Sequence, residues 1–145
     1  MPNYVYNSLS ISGENHKKVL KLIEDVKGED TILDFKKIIP IPEKERKNHE
    51  QEQFWKKCNW GCKWNAMDIE LDDCTYYFLT PWNPPIPIVK ALSKQYPDLI
   101  ITLEYAEETG CDSGHIEFIN GEISNSNFIY KKENNEYYEK LWGIE

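Results

Sequence analysis

Residues Tyr4 to Ile11 alternate without a break, with Val5, Asn7, Leu9 and Ile11 on one face and Tyr4, Tyr6, Ser8 and Ser10 on the other. A period of two describes a strand with one face packed and the other available. The period then changes. Ser12-Gly13 offers a cap, Glu14 suits the positive end of a helix, and Val19, Leu20, Ile23 and Val26 form an apolar stripe that Gly28 stops. Met67, Ile69 and Leu71 alternate again, and across the polar turn Asp72-Asp73 the run Tyr76 to Leu79 returns as the second arm of a hairpin. Pro84, Pro85 and Pro87 preset a helix start, and Ile88, Val89, Leu92 and Tyr96 make a second stripe ended by Pro97. Leu99 to Tyr105 is a fourth strand, rich in β-branched residues.

The order is therefore strand, helix, strand, strand, helix, strand. It predicts an α+β fold of the ferredoxin-like, split βαβ kind (βαββαβ), an antiparallel sheet with helices on one face. Two segments lie outside that frame. Residues 43–66 form a charged insertion, whose stretch Glu43 to Lys57 predicts an exposed helix or loop. Residues 120–145 form a C-terminal extension. His115 to Ile119 pairs with Glu122 to Phe128 of this extension across Asn120-Gly121, and Tyr137, Tyr138, Leu141 and Trp142 sit at helical spacing in a short docked helix. Between the first helix and the insertion, Pro40 and Pro42 keep the chain extended while Phe35, Ile38, Ile39 and Ile41 pack. The whole chain, 1–145, reads as one domain, and the open sheet face is where a ligand or partner sits unless the C-terminal hairpin or helix covers it.

Charge narrows the partners. Seventeen Lys and Arg against 25 Asp and Glu leave a net −8, which repels a phosphate backbone and makes direct nucleic-acid binding a poor expectation. The charge is also uneven: Lys36, Lys37, Lys44, Arg46, Lys47, Lys56, Lys57 and Lys63 crowd the middle, and Glu104, Glu107, Glu108, Asp112, Glu117 and Glu122 follow. Tyr4, Tyr6, Tyr76 and Phe78 are the aromatics a base-stacking platform would use, but no aromatic-plus-glycine RNA-binding motif accompanies them. No run is long and apolar enough for a membrane span and no signal core opens the chain, so the expectation is a cytoplasmic protein with reduced cysteines.

The densest local feature is Asn59-Trp60-Gly61-Cys62-Lys63-Trp64-Asn65, followed by Trp82. Trp60, Trp64 and Trp82 can form an apolar wall on which Lys63 and Asn65 converge, the make-up of a small-ligand or nucleotide site. The same residues can instead seal the insertion onto the sheet. Cys58 and Cys62 lack the spacing of a zinc knuckle, so the sequence predicts no metal and no cofactor. Glu104, Glu107, Glu108, Asp112 and His115 contain acid and base side chains, and Cys111 stands near His115. Neither group comes with a nucleophile and oxyanion hole, and the expectation is a protein that is not an enzyme.

The segments MPNYVYNSLSISG, FKKIIPIP, NWGCKWNA, YFLTPWNPPIPIVKALSKQYPDL and LEYAEETGCDSGHIEF resemble the YubB ferredoxin-like family, carried by phages, prophages and plasmids. The resemblance runs from Pro2 to Phe118, leaves Glu122 to Glu145 unmatched, and has Cys62 where Thr is more usual. It implies a ferredoxin-like fold, no established enzymatic activity, and a mobile-element setting in a bacterial cell. Proteins of such accessory regions often neutralise host defences. The expectation is an acidic protein-binding module, an inhibitor of a CRISPR-type or other nucleic-acid-handling host protein, with Glu104, Tyr105, Glu107 and Glu108 at the contact. The alternative is a nucleotide sponge built on Trp60, Trp64 and Trp82.

Overall fold

The computed structural model describes residues 3–143. In chain order the elements are β1 (Tyr4–Ser12), α1 (His16–Asp25), α2 (His49–Trp60), β2 (Met67–Asp72), β3 (Thr75–Pro81), α3 (Ile86–Gln95), β4 (Ile100–Glu107), β5 (Ser113–Ile119), β6 (Glu122–Ile129) and α4 (Glu136–Trp142), with short 3-10 turns at Phe35–Lys37 and Glu43–Arg46. All six strands form one antiparallel sheet in the order β2-β3-β1-β4-β5-β6. The first four strands have the split βαβ arrangement the periodicities predict. The β5–β6 hairpin widens the sheet, and its turn residues Asn120 and Gly121 both have positive φ, at 52° and 77°, as a type I′ turn requires.

One face of the sheet carries the core. Val5, Leu9 and Ile11 of β1, Tyr76 and Phe78 of β3, Ile101, Leu103 and Tyr105 of β4, and Ile116 and Phe118 of β5 pack with Val19 and Leu22 of α1 and Ile88, Val89 and Leu92 of α3. Tyr76 and Phe78 are thereby enclosed in the core, so the four-aromatic stacking platform does not exist: Tyr4 and Tyr6 face the other way. The first helix also differs from its expected outline. β1 extends through Ser12, so the helix is capped by Asn15, whose side chain accepts from the Lys17 amide. Its buried stripe runs through Val19, Leu22 and Val26, leaving Leu20 51% exposed.

The charged insertion is anchored at its C-terminal end. Trp60, 1% exposed, meets Phe35 and Trp55 edge to face and donates its indole N–H to the Ile39 carbonyl. Gly61 ends α2 at φ +88°, and a Cβ there would lie 2.6 Å from Pro87 Cδ, so this glycine lets α2 press against the start of α3. No helix among the described residues is long and apolar enough to cross a membrane.

Candidate functional site on the open sheet face

On the face away from α1 and α3, strand register builds three cross-strand rows. The first is Met67, Leu79, Tyr6, Ala106, Ser113 and Ile129, one residue from each strand. It is mostly apolar, and α4 covers its centre: Tyr138 and Leu141 pack on Ala106, Tyr6 meets Trp142 edge to face at 5.7 Å, and the Trp142 indole donates to the Ala106 carbonyl at 2.8 Å. The C-terminal helix therefore occupies one end of the face that the four-stranded core alone leaves open.

The second row is Glu70, Tyr77, Ser8, Glu104, His115 and Asn127, and the third is Asp72, Thr75, Ser10, Thr102, Glu117 and Asn125. Twelve consecutive register positions thus hold no aliphatic side chain. Hydroxyls occupy the middle, with the Ser10 and Thr75 hydroxyls 3.1 Å apart, and carboxylates stand on both flanks. Glu70 and Asp72 are exposed and Glu117 is half-exposed. Burial, followed by the charge of Glu70 and by Tyr77, raises the Tyr6 phenol above its ordinary pKa.

Glu104 is the most constrained group of the face. His115 Nδ1 lies 2.7 Å from its Oε2 and Lys140 Nζ 2.5 Å from its Oε1. Burial pushes the Glu104 carboxyl up, but the hydrogen bonds and charges of Lys140 and His115 together outweigh it, and the carboxyl sits below its ordinary pKa. An ionised carboxylate only accepts, so Nδ1 of His115 carries the proton. The imidazole also stacks on Tyr137, with ring centroids 6.3 Å apart, and Asn127 donates to the Tyr137 hydroxyl. The order along the row is Ser8, Glu104, His115, which puts the carboxylate between hydroxyl and imidazole. A serine nucleophile needs the imidazole in the middle, so the row is not a triad.

Of the acidic contact residues expected from the sequence, Glu104, Glu107 and Glu108, only Glu104 lies on this face. Tyr105 points into the core, where burial and the neighbouring Asp112 hold its phenol well above the ordinary range. Glu107 is buried and bonded by the Thr109 amide and hydroxyl, and Glu108 accepts from the Tyr4 amide at the sheet end. Glu107 and Tyr105 thus offer nothing to a partner. They sit where strand alternation and the turn after β4 send them, which local charge density does not reveal.

The tryptophan wall separates in the same way. Trp60 is core and its N–H is used. Asn65 is a structural clasp, accepting from the Phe35 and Ala66 amides and donating to Asp34. Trp64 and Trp82 flank the same end of the β2–β3 hairpin, where Met67 faces Leu79; Trp64 is half-buried with its indole against the Met67 sulfur, Trp82 is 44% exposed, and Lys63 is half-exposed. Burial pushes the Cys62 thiol up to about 12, whereas Cys58 and Cys111 are exposed. Among the described residues no three His, Cys, Asp or Glu side chains are placed to hold a metal ion.

A β2-β3-β1-β4 sheet with two helices on one face defines a ferredoxin-like α+β domain, here carrying two polar rows on its other face. Comparison with known families agrees. A family model described as the ferredoxin-like domain in Api92-like protein matches residues 59–141, more than half of the chain, and the chain belongs to that family. The match takes in β6 and α4, which the YubB resemblance left out, and begins after β1 and α1. No curated protein and no solved structure gives a significant match.

Proposed function

We propose that this chain is a non-enzymatic protein-binding module whose two polar rows dock a basic segment of a partner. The observation that carries the reading is the field of part-exposed hydroxyls, Ser10, Thr75 and Thr102, flanked by the carboxylates of Glu70, Asp72 and Glu117, none of which has an ion pair among the described residues. Such a surface hydrogen-bonds a polypeptide, attracts Lys and Arg, and repels phosphate. Tyr6 and Tyr77 supply aromatic area beside it. The net −8 extends the attraction beyond contact range and speeds encounter.

We further propose, on the resemblance to the YubB family, that the module is carried by a phage or other mobile element and acts in the bacterial cytoplasm. In that setting the partner is a host protein that handles nucleic acid, whose phosphate-binding surface is basic, and the module restrains it by occupying that surface. The Trp-based nucleotide site loses support because Trp60 and Asn65 are committed to the interior.

Affinity capture from bacterial lysate, with the wild type beside a Glu70→Lys/Glu117→Lys double variant, tests the proposal. A basic protein retained by the wild type, released by raised salt and absent from the variant is the expected result. Retention of the same proteins by both forms, or of none above background, overturns it.

A further inference from the structure

The sheet has two edges, and they are built differently. β2 carries exposed Asp68, Glu70 and Asp72, and a register shift between Met67 and Glu70 bends it, with Asp68 at φ +51°. Charges and bulges of this kind keep an edge strand from pairing with another chain. β6 has no such defence along most of its length. From Ile123 to Ile129 it contains no charge and no proline, and its only irregularity lies near its start, leaving Asn125–Ile129 in regular register with β5. Every β6 residue before Ile129 is exposed. Ile123 is 57% exposed, and Phe128 stacks on Tyr130, itself 69% exposed, at 6.3 Å.

We propose that β6 is an interface strand that pairs antiparallel with β6 of a second copy, about a two-fold axis near Ser126, joining two six-stranded sheets into one. The occupant follows from the charges at the strand ends. Glu122 opens β6 and Lys131 follows its close, both are exposed, and neither is ion-paired among the described residues. Antiparallel pairing brings each Glu122 to the other copy's Lys131, twice over, whereas parallel pairing sets like charge beside like. The contact is isologous and self-limiting, because the joined sheet ends on two defended β2 edges. Both polar faces then lie on the same side of the joined sheet, with Asn125 and Asn127 of each copy at the seam.

Light scattering of the full chain across a concentration series tests this. The expected result is a species of twice 17.2 kDa. Ser126→Lys sets like charges opposite each other near the axis and weakens the dimer at least about tenfold, while Leu20→Lys on α1 leaves it unchanged. Lys131→Glu weakens it similarly, and Glu122→Lys added to Lys131→Glu restores it, with circular dichroism verifying the fold of each variant. A monomer at every concentration overturns the proposal, as does a dimer indifferent to both Ser126→Lys and Lys131→Glu.

Discussion

Glu104 and His115 face each other on neighbouring central strands, carboxylate to imidazole at 2.7 Å, and α4 closes over them with Lys140 on the second carboxylate oxygen and Tyr137 stacked on the ring. The pair thus joins the sheet to the C-terminal helix, and its chemistry is that of a clamp.

The carboxyl of Glu104 is held below its ordinary pKa in the fold, so the stabilisation it adds is present above the unfolded carboxylate pKa of about 4.3 and is lost as pH falls through the folded value. Replacing it by Gln should cost about 1 kcal/mol at neutral pH, and the wild type and Glu104→Gln should converge in acid. Urea denaturation at a series of pH values checks this; a constant difference between the two proteins would refute it.

Asn135 caps α4 by accepting from the Tyr137 and Tyr138 amides, while its own amide donates to the Ser113 hydroxyl and the Lys131 carbonyl at 2.8 and 2.7 Å. It is fully buried, so Asn135→Ala removes a cap and orphans interior groups, at a cost of about 2 to 3 kcal/mol. Loss of α4 from the sheet should also make amide exchange fast for residues 136–142, which hydrogen exchange reads directly.

Trp60 and Trp82 should respond oppositely to truncation. Trp60→Ala empties a core site and should cost about 3 to 5 kcal/mol. Trp82 holds a left-handed φ of +64°, which Asn tolerates better than an aromatic, so Trp82→Asn should stay within about 0.5 kcal/mol of the wild type. Thermal melts of the two variants decide the matter.

Thiol labelling of the native protein at mildly alkaline pH should modify Cys58 and Cys111 and spare Cys62, whose thiol is buried and pushed up to about 12. Mass spectrometry of the digested protein gives the assignment. Modification of Cys62 without denaturant would contradict the packing described.

Periodicity made the elements legible because burial on one face imposes it locally: β1, the two hairpins, α3 and the helical spacing of Tyr137, Tyr138 and Leu141 all follow from residues near in sequence. The site was legible only in part. Glu104 is visible as one acid among several, but its neighbours Ser8 and His115 lie on other strands, and the density of Trp around Gly61 leaves wall and core both open where the structure sends Trp60 inward and leaves Trp82 exposed.

The sequence alone determined which residues can share a face, since a strand sends alternate side chains to opposite sides whatever it pairs with. It also determined the acidic charge and the turn at Asn120-Gly121. Only the tertiary structure decided which faces meet. The strand order and register align Glu70, Tyr77, Ser8, Glu104, His115 and Asn127 into one row, and the docking of α4 covers the apolar row beside it, clamps Glu104 and His115, and leaves Glu70, Asp72 and the third row open. Those are pairings between residues far apart in the chain, where a slip of one position would exchange the two faces of the sheet, and no local pattern specifies them.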